Sequence, residues 1–137
     1  CFGAEASSKK RVMEIASRLL LEATPYTISP HVVFDGLNAR ERLGSTGLGF
    51  GVALPHGRLG EVDTAVGAFV HTSSGIDFDS PDREPVDLVF ALIVPEHSTD
   101  EHLQILSRLA EMFSDDGFRK KLRAAGSTEA AFGLLTG

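Results

Sequence analysis

The chain has 137 residues, a length that fits one compact domain rather than two. Hydrophobic residues make up 42% of it and charged residues 23%, a balance that excludes a disordered chain. The formal net charge is −6 and no dense run of Lys and Arg occurs, so neither a nucleic acid nor an anionic membrane surface is expected as the main partner.

Cysteine content and hydropathy exclude further classes of protein. The single cysteine, Cys1, excludes an internal disulfide framework and a cysteine-based zinc site. Apolar runs such as Val86 to Pro95 are far shorter than the roughly 20 residues that span a bilayer, and no signal peptide is visible. The sequence therefore predicts a cytoplasmic domain without direct membrane insertion.

Two helices are predicted in the first third of the chain. Ser7-Ser8 is a suitable N-cap for a helix over about residues 9–23, whose apolar residues recur at helical spacing. Ser29-Pro30 matches an N-cap followed by Pro at the first helical position. It predicts a second helix that runs to about Leu43 and ends at Gly44.

The middle of the chain predicts strands. Residues 44–51 hold four glycines, which predicts a shaped loop before a short apolar strand at 52–54. Further strands are predicted over 65–72 and 86–94, and the second is so continuously apolar that both of its faces should be covered. Residues 76–78 alternate and predict a short edge strand or arm.

Three helices are predicted after the last strand. Ser98 and Glu101 form a capping-box pattern that opens a helix to about Phe113. Two shorter helices are predicted over about 115–124 and 128–135. Because helices precede and follow the strands, we expect a sheet covered by helices on two faces.

Three side chains are candidates for chemistry. His56 lies between Pro55 and Gly57, directly after a predicted strand, where the backbone is fixed and access stays open. His102 falls in the first turn of a predicted helix, where the helix dipole favours an anion. Arg40 is the third, and Arg42 near the same helix end shares its interpretation, since either can direct a guanidinium at a phosphoryl oxygen. Each also has an ordinary interpretation, as a structural histidine or a solvated charge.

Sequence motifs for other functions are weaker or absent. The glycines at 47–51 are spaced somewhat like a dinucleotide-binding loop, but a strand and not a helix is predicted after them. The P-loop, G-x-S-x-G and HExxH patterns are absent. A Ser-His-Asp hydrolase stays open on residue types alone, whereas no metal and no cofactor are predicted.

Two separated segments resemble the signatures of one known family. Residues 40–58, RERLGSTGLGFGVALPHGR, resemble the phosphorylation-site signature of the fructose/mannitol-type IIA component of the bacterial phosphoenolpyruvate phosphotransferase system. Residues 85–95, PVDLVFALIVP, followed by Glu101-His102-Leu103, resemble its second signature. The likeness covers the whole chain, and it implies a short N-terminal strand before the first residue.

The resemblance implies a fold, a site and a reaction. The fold would be α/β, a single mixed β-sheet flanked by helices on both faces, with residues 1–137 as one IIA-type domain. By position, His56 would be the phosphorylated histidine, reacting through Nε2, with His102 as a second active-site histidine and Arg40 as the arginine that aids transfer. The protein would be a phosphotransferase-type phosphocarrier with a phosphohistidine intermediate, loaded by an HPr-type phosphocarrier protein, without turnover of a free small molecule.

Within that family, Gly44-Ser45-Thr46-Gly47 and Pro55-His56-Gly57-Arg58 most resemble the nitrogen-regulatory branch. That branch implies a regulator whose phosphorylation state signals nitrogen, carbon or ion status to a protein target. The sequence departs from the pattern of that branch at Phe50, where the branch commonly has Asn.

Two alternative functions stay open: a transport IIA that relays phosphate to a IIB cysteine, and a non-transferring binding module of the same fold. Residues 58–63, expected to form a loop, are a candidate docking face.

Overall fold

The computed structural model describes residues 8–23, 30–43, 46–60, 66–78, 84–95 and 99–125. The helices in these ranges are α1 (Lys9–Ala23), α2 (Pro30–Leu43), α3 (Thr99–Ser114) and α4 (Asp116–Ala124). The strands are β1 (Gly47–Gly49), β2 (Val52–Ala53), β3 (His56–Leu59), β4 (Val66–Ile76) and β5 (Val86–Pro95). Every helix in the described part of the chain is too short or too polar to cross a membrane.

The helix predictions from periodicity and caps are confirmed for all four described helices. Ser8 caps α1, since its Oγ accepts a hydrogen bond from the Arg11 N–H at 3.2 Å. Asp115 caps α4 in the same way, accepting from the Phe118 N–H at 3.1 Å. The helix predicted over 128–135 and the capping box that begins at Ser98 lie outside the described residues.

The five strands form one mixed sheet around β5. β2 and β3 both pair with β5 in parallel, with Val52 opposite Leu88 and His56 opposite Leu92. They therefore lie one after the other along the same edge of β5. β4 pairs antiparallel with the other edge, and β1 forms a hairpin with β2. The expected mixed sheet is confirmed.

Helices cover both faces of β5, as its apolar run predicts. Successive residues of a strand point to opposite faces of the sheet. The β5 side chains in the core cluster with α1 and α2 include Val89, Ala91 and Ile93. Those in the cluster with α3 and α4 include Leu88, Leu92 and Val94. One strand thus contributes to two cores, which anchors all four helices to the same backbone.

Three strand predictions need correction. The glycine-rich segment is not only a loop, because Gly47–Gly49 form β1. His56 does not simply follow a strand but begins β3, and Arg58 lies in that strand rather than in a loop. β4 continues from Val66 to Ile76, in place of a strand that ends at residue 72 and a separate element at 76–78. In each case the secondary structure of the segment is determined by its pairing within the sheet, because its own sequence pattern is weak.

The β1–β2 turn explains why Phe50 is an unusual residue. Gly49 pairs with Val52, which leaves Phe50 and Gly51 as a two-residue hairpin loop with φ of 58° and 79°. Positive φ at both central positions is the signature of a type I′ turn, for which Asn-Gly is preferred. Phe50 is 60% exposed, its carbonyl accepts from Arg123 Nη2 at 2.7 Å, and its ring lies 4.4 Å from the Arg119 guanidinium.

Phe50→Asn is expected to stabilise the protein. A residue other than Gly or Asn in the left-handed region costs about 1–2 kcal/mol. The Phe50 ring is exposed but Arg119 is buried, so we take about 1 kcal/mol for their cation–π contact, the upper end of the range for exposed pairs. Relief of the strain outweighs the lost contact, so the free energy of unfolding should rise by up to about 1 kcal/mol. Urea denaturation measures the change. Phe50→Leu is the control: it keeps the strain and loses the ring, and should be no more stable than wild type.

Candidate functional site

The site is built where one edge of the sheet is interrupted. Leu54 and Pro55 separate β2 from β3. Pro55 has no N–H to donate, and its carbonyl accepts from the Leu92 N–H at 2.9 Å. The Leu54 N–H donates to the Thr46 carbonyl at 3.0 Å, on the side of β1 rather than of β5. The Leu54 carbonyl is left to a side chain: it lies 2.8 Å from Nδ1 of His56.

This contact determines the chemistry of the His56 ring. A carbonyl oxygen only accepts hydrogen bonds, so Nδ1 must carry the proton that it donates to Leu54. In the neutral ring, Nε2 then holds the lone pair. Nε2 is therefore the ring nitrogen whose lone pair can act as a nucleophile, and the ring is half-buried.

The strand register shows which face His56 occupies. Residues paired across neighbouring strands point to the same face of a sheet. His56 is opposite Leu92 and Arg58 is opposite Val94, and both partners pack in the cluster with α3 and α4. His56 and Arg58 therefore project on the side of the sheet that α3 covers. His102 lies in the first turn of α3, but its side chain is outside the described part of the structure.

Two glycines bring α2 against β3 on the opposite face. A Cβ placed on Gly57 would lie 2.9 Å from the Gly36 carbonyl oxygen and 3.0 Å from its carbon, so the two backbones are in direct contact. This approach carries the last turn of α2, and with it Arg40, to the edge where His56 lies. Arg40 is close enough to act electrostatically on His56.

The surroundings keep His56 uncharged. Burial is the largest influence and lowers the pKa of His56 below its ordinary value of 6.5. The bond to the Leu54 carbonyl and the charge of Glu41 act in the opposite direction, whereas Arg40 and Arg58 lower the pKa further. The net shift is downward, so the imidazole is neutral near pH 7, the state in which Nε2 can attack an electrophile.

A dependence of stability on pH follows from two histidines. Burial lowers the pKa of His71 as it does that of His56. As the pH falls below about 6.5, the unfolded chain takes up protons before the folded chain does, so the free energy of unfolding should fall until the folded pKa values are passed. Urea denaturation between about pH 7 and 5.5 measures this slope. The double variant His56→Gln/His71→Gln should have a flatter slope, and an unchanged slope would contradict the prediction.

Sequence reasoning did not single out Arg58 or Glu41 as site residues. Arg58 comes two positions after His56, and this spacing places both on one face only once β3 is known to be a strand. Glu41 adjoins Arg40 in α2 and would ordinarily be taken as a solvated charge. Among the described residues, no group of three or more His, Cys, Asp or Glu side chains is arranged to hold a metal ion.

Comparisons with known proteins show which family and which solved structures the chain resembles. The family model described as "Phosphoenolpyruvate-dependent sugar phosphotransferase system, EIIA 2" matches residues 2–137. The chain is 47% identical over 131 residues to a nitrogen regulatory protein of Escherichia coli, which covers 94% of this chain and 78% of that protein. It is 38% identical over 101 residues to a fructose-specific EIIA component of Haloferax volcanii, covering 74% and 66% of the two chains. The crystal structure of nitrogen regulatory protein IIA-Ntr from Neisseria meningitidis matches with a TM-score of 0.91 at 47% identity, covering 98% of this chain and 90% of that one.

Proposed function

Because the chain belongs to the EIIA 2 family of the phosphoenolpyruvate-dependent sugar phosphotransferase system, we propose that it accepts a phosphoryl group on Nε2 of His56 from an HPr-type phosphohistidine carrier. The observation that carries the proposal is the 2.8 Å contact between His56 Nδ1 and the Leu54 carbonyl, which leaves the lone pair on Nε2. Burial and the neighbouring arginines, which lower the pKa of His56, add a second support because they keep the ring neutral.

In the proposed reaction, the Nε2 lone pair of His56 forms a bond to phosphorus as the bond from phosphorus to the donor's histidine nitrogen breaks. The electrons of that bond return to the donor ring, and no nucleotide is consumed. Nδ1 keeps its proton and its bond to Leu54 throughout. Catalysis of such a transfer depends mostly on positioning and on stabilising charge at the phosphoryl oxygens.

Arg40, Arg58 and His102 are proposed to provide that charge stabilisation. The Arg40 guanidinium can make charge-assisted hydrogen bonds to the phosphoryl oxygens, and Arg58 lies on the same face as His56. His102 belongs to the first turn of α3, and we propose that a ring N–H of this residue donates to the phosphoryl group. No step requires a metal or a cofactor.

The downstream role is proposed to be regulatory. Phosphorylation adds about −1.5 to −2 of charge, which changes how a docking face meets a protein target without a large conformational change. We propose that residues 1–137 act as one cytoplasmic IIA-type domain that reports nitrogen, carbon or ion status through this charge. The likeness to nitrogen regulatory proteins supports the regulatory branch.

A second candidate function is supported by the likeness to a fructose-specific EIIA component. In that case phosphate would pass from His56 to the cysteine of a IIB component and then to a sugar. The two functions separate in a reconstituted system that contains the chain, the donor proteins and IIB. Sugar phosphorylation that depends on the chain supports transport, whereas loading of His56 without transfer to IIB supports regulation.

The proposed function is tested by intact-mass measurement after incubation with phosphoenolpyruvate, enzyme I and an HPr-type carrier. Wild type should gain the mass of one acid-labile phosphoryl group, and His56→Ala should gain none. His71→Ala is the matched control, since it removes a histidine from β4, on the other edge of β5, and should be loaded like wild type. A wild-type chain that gains no mass, beside a IIA protein that does, would favour a non-transferring binding module.

A further inference from the structure

A buried carboxylate, that of Glu41, adjoins the proposed site but has no role in the transfer step described above. Glu41 is only 8% exposed, although it lies in α2 next to Arg40. Its Oε2 pairs with Lys9 Nζ at 2.7 Å, and the Lys9 ammonium also lies 5.1 Å from the centre of the Phe78 ring. Burying an ion pair contributes little net stability, because the cost of removing both charges from water offsets their attraction. Stability alone therefore does not account for this charge.

The carboxylate of Glu41 holds Thr46, the residue that precedes β1. The Thr46 N–H lies 3.3 Å from Oε1 and 3.4 Å from Oε2, and the Thr46 hydroxyl donates to Oε1. Thr46 is buried as well. Both hydrogen-bond donors of Thr46 are thus directed at one carboxylate, which is itself fixed by Lys9.

Thr46 in turn holds the peptide that orients His56. Its carbonyl accepts from the Leu54 N–H at 3.0 Å, and the Leu54 carbonyl accepts from His56 Nδ1 at 2.8 Å. Leu54 lies between β2 and β3, and its bond to Thr46 continues the pairing of β2 with β1 by one residue. A continuous series of contacts therefore joins Lys9, Glu41, Thr46, Leu54 and His56.

We propose that Glu41 is a positioning residue for phosphoryl acceptance: through Thr46 and Leu54 it fixes the His56 ring with Nε2 directed outward. The same carboxylate, held by Lys9, also fixes the last turn of α2, which carries Arg40. The consequence for rate rests on the proposed function, but the consequence for the orientation of the ring does not. Loss of the Thr46 hydroxyl should therefore loosen the ring even in the absence of a donor.

Thr46→Val tests this arrangement, because valine has the shape of threonine without the hydroxyl. Heteronuclear NMR of the imidazole nitrogens reports which nitrogen of His56 carries the proton. Wild type should be protonated at Nδ1, and Thr46→Val should be a mixture of the two tautomers. The rate of phosphoryl acceptance at saturating donor should fall by about tenfold, within the hundredfold that a small misplacement can cost, whereas the donor concentration at half-maximal rate should be unchanged.

Three further variants separate positioning from general destabilisation. Thr46→Ser keeps the hydroxyl and should restore both the tautomer and the rate. Ser17→Ala removes another buried hydroxyl, which donates to the Met13 carbonyl at 2.7 Å in α1, and should leave both readouts unchanged. Glu41→Gln keeps an acceptor for Thr46 but not the charge, so it should retain the tautomer and lower the pKa of His56, which the Glu41 charge raises.

These experiments can contradict the positioning role of Glu41 without contradicting the proposed function, and the reverse also holds. A wild-type tautomer and a wild-type maximal rate in Thr46→Val would overturn the positioning role while leaving phosphorylation of His56 intact. If wild type accepts no phosphoryl group, the proposed function fails, and the tautomer measurement still decides whether the contacts orient the ring. Should valine prevent folding, Thr46→Ala removes the same hydroxyl without crowding and gives the same test.

Discussion

Arg40→Ala is expected to slow phosphoryl acceptance by about a hundredfold, which is the usual loss when one donor to a developing charge is removed. The charge of Arg40 lowers the pKa of His56, so it acts on the ring, and in the proposed reaction its guanidinium contacts the phosphoryl group on Nε2. The pKa of His56 should rise in the variant, because one of the charges that lowers it is gone. Single-turnover transfer from a phosphorylated HPr-type carrier measures the rate, and an NMR titration measures the pKa.

Two control variants show whether the loss comes from this guanidinium. Arg40→Lys keeps the charge but not the planar fork, so its rate should lie between those of wild type and Arg40→Ala. Arg18→Ala removes an exposed arginine of α1 and should transfer at the wild-type rate. If Arg40→Ala transferred at the rate of Arg18→Ala, Arg40 would have no part in the reaction.

Gly57→Ala is expected to cost both stability and activity. Its Cβ would lie 2.9 Å from the Gly36 carbonyl oxygen, a backbone atom that cannot move without displacing α2. Crowding of this kind typically lowers the free energy of unfolding by about 1–3 kcal/mol. Displacement of α2 also moves Arg40 away from His56, so the transfer rate should fall by up to about a hundredfold. Urea denaturation and single-turnover transfer measure the two effects.

Gly36→Ala provides the matched control in the same contact. A Cβ on Gly36 would meet only the end of the Leu59 side chain, at 3.1 Å, and that side chain can move aside. Alanine is also the better helix former, by about 1 kcal/mol. Gly36→Ala should therefore be about as stable and as active as wild type. Equal losses in the two variants would show that the close approach of α2 and β3 does not position the site.

The parts of the fold that were predicted correctly are those whose own residues carry a strong pattern. The four described helices have apolar residues at helical spacing, and β5 has an unbroken apolar run that serves two cores. β1 and β3 have three and four residues, and glycines among them weaken any periodic signal. β3 pairs with β5, more than thirty residues away, so its local pattern could not reveal the pairing. β1 pairs with β2 across a two-residue turn that has Phe50 in place of the Asn of the preferred Asn-Gly, so the usual hairpin signal is missing.

The residues of the candidate site also differ in how strongly the sequence alone predicts them. His56 was predicted because Pro55 and Gly57 mark a fixed and accessible position in the sequence itself. Its tautomer depends on the Leu54 carbonyl, which is available only because the sheet edge is interrupted there. Glu41 gave no signal, since an acidic residue in a helix is ordinarily solvated, and its burial arises from contacts with Lys9 and Thr46.

Locating the phosphoryl group within the loaded protein tests the central claim most directly. The protein is loaded with the donor system and kept at alkaline pH, and heteronuclear NMR of the imidazole nitrogens identifies the residue and the nitrogen that carry phosphorus. We predict phosphorus on Nε2 of His56, with Nδ1 still protonated and bonded to the Leu54 carbonyl. Phosphorus on Nδ1 of His56, or on any other residue, would contradict the account.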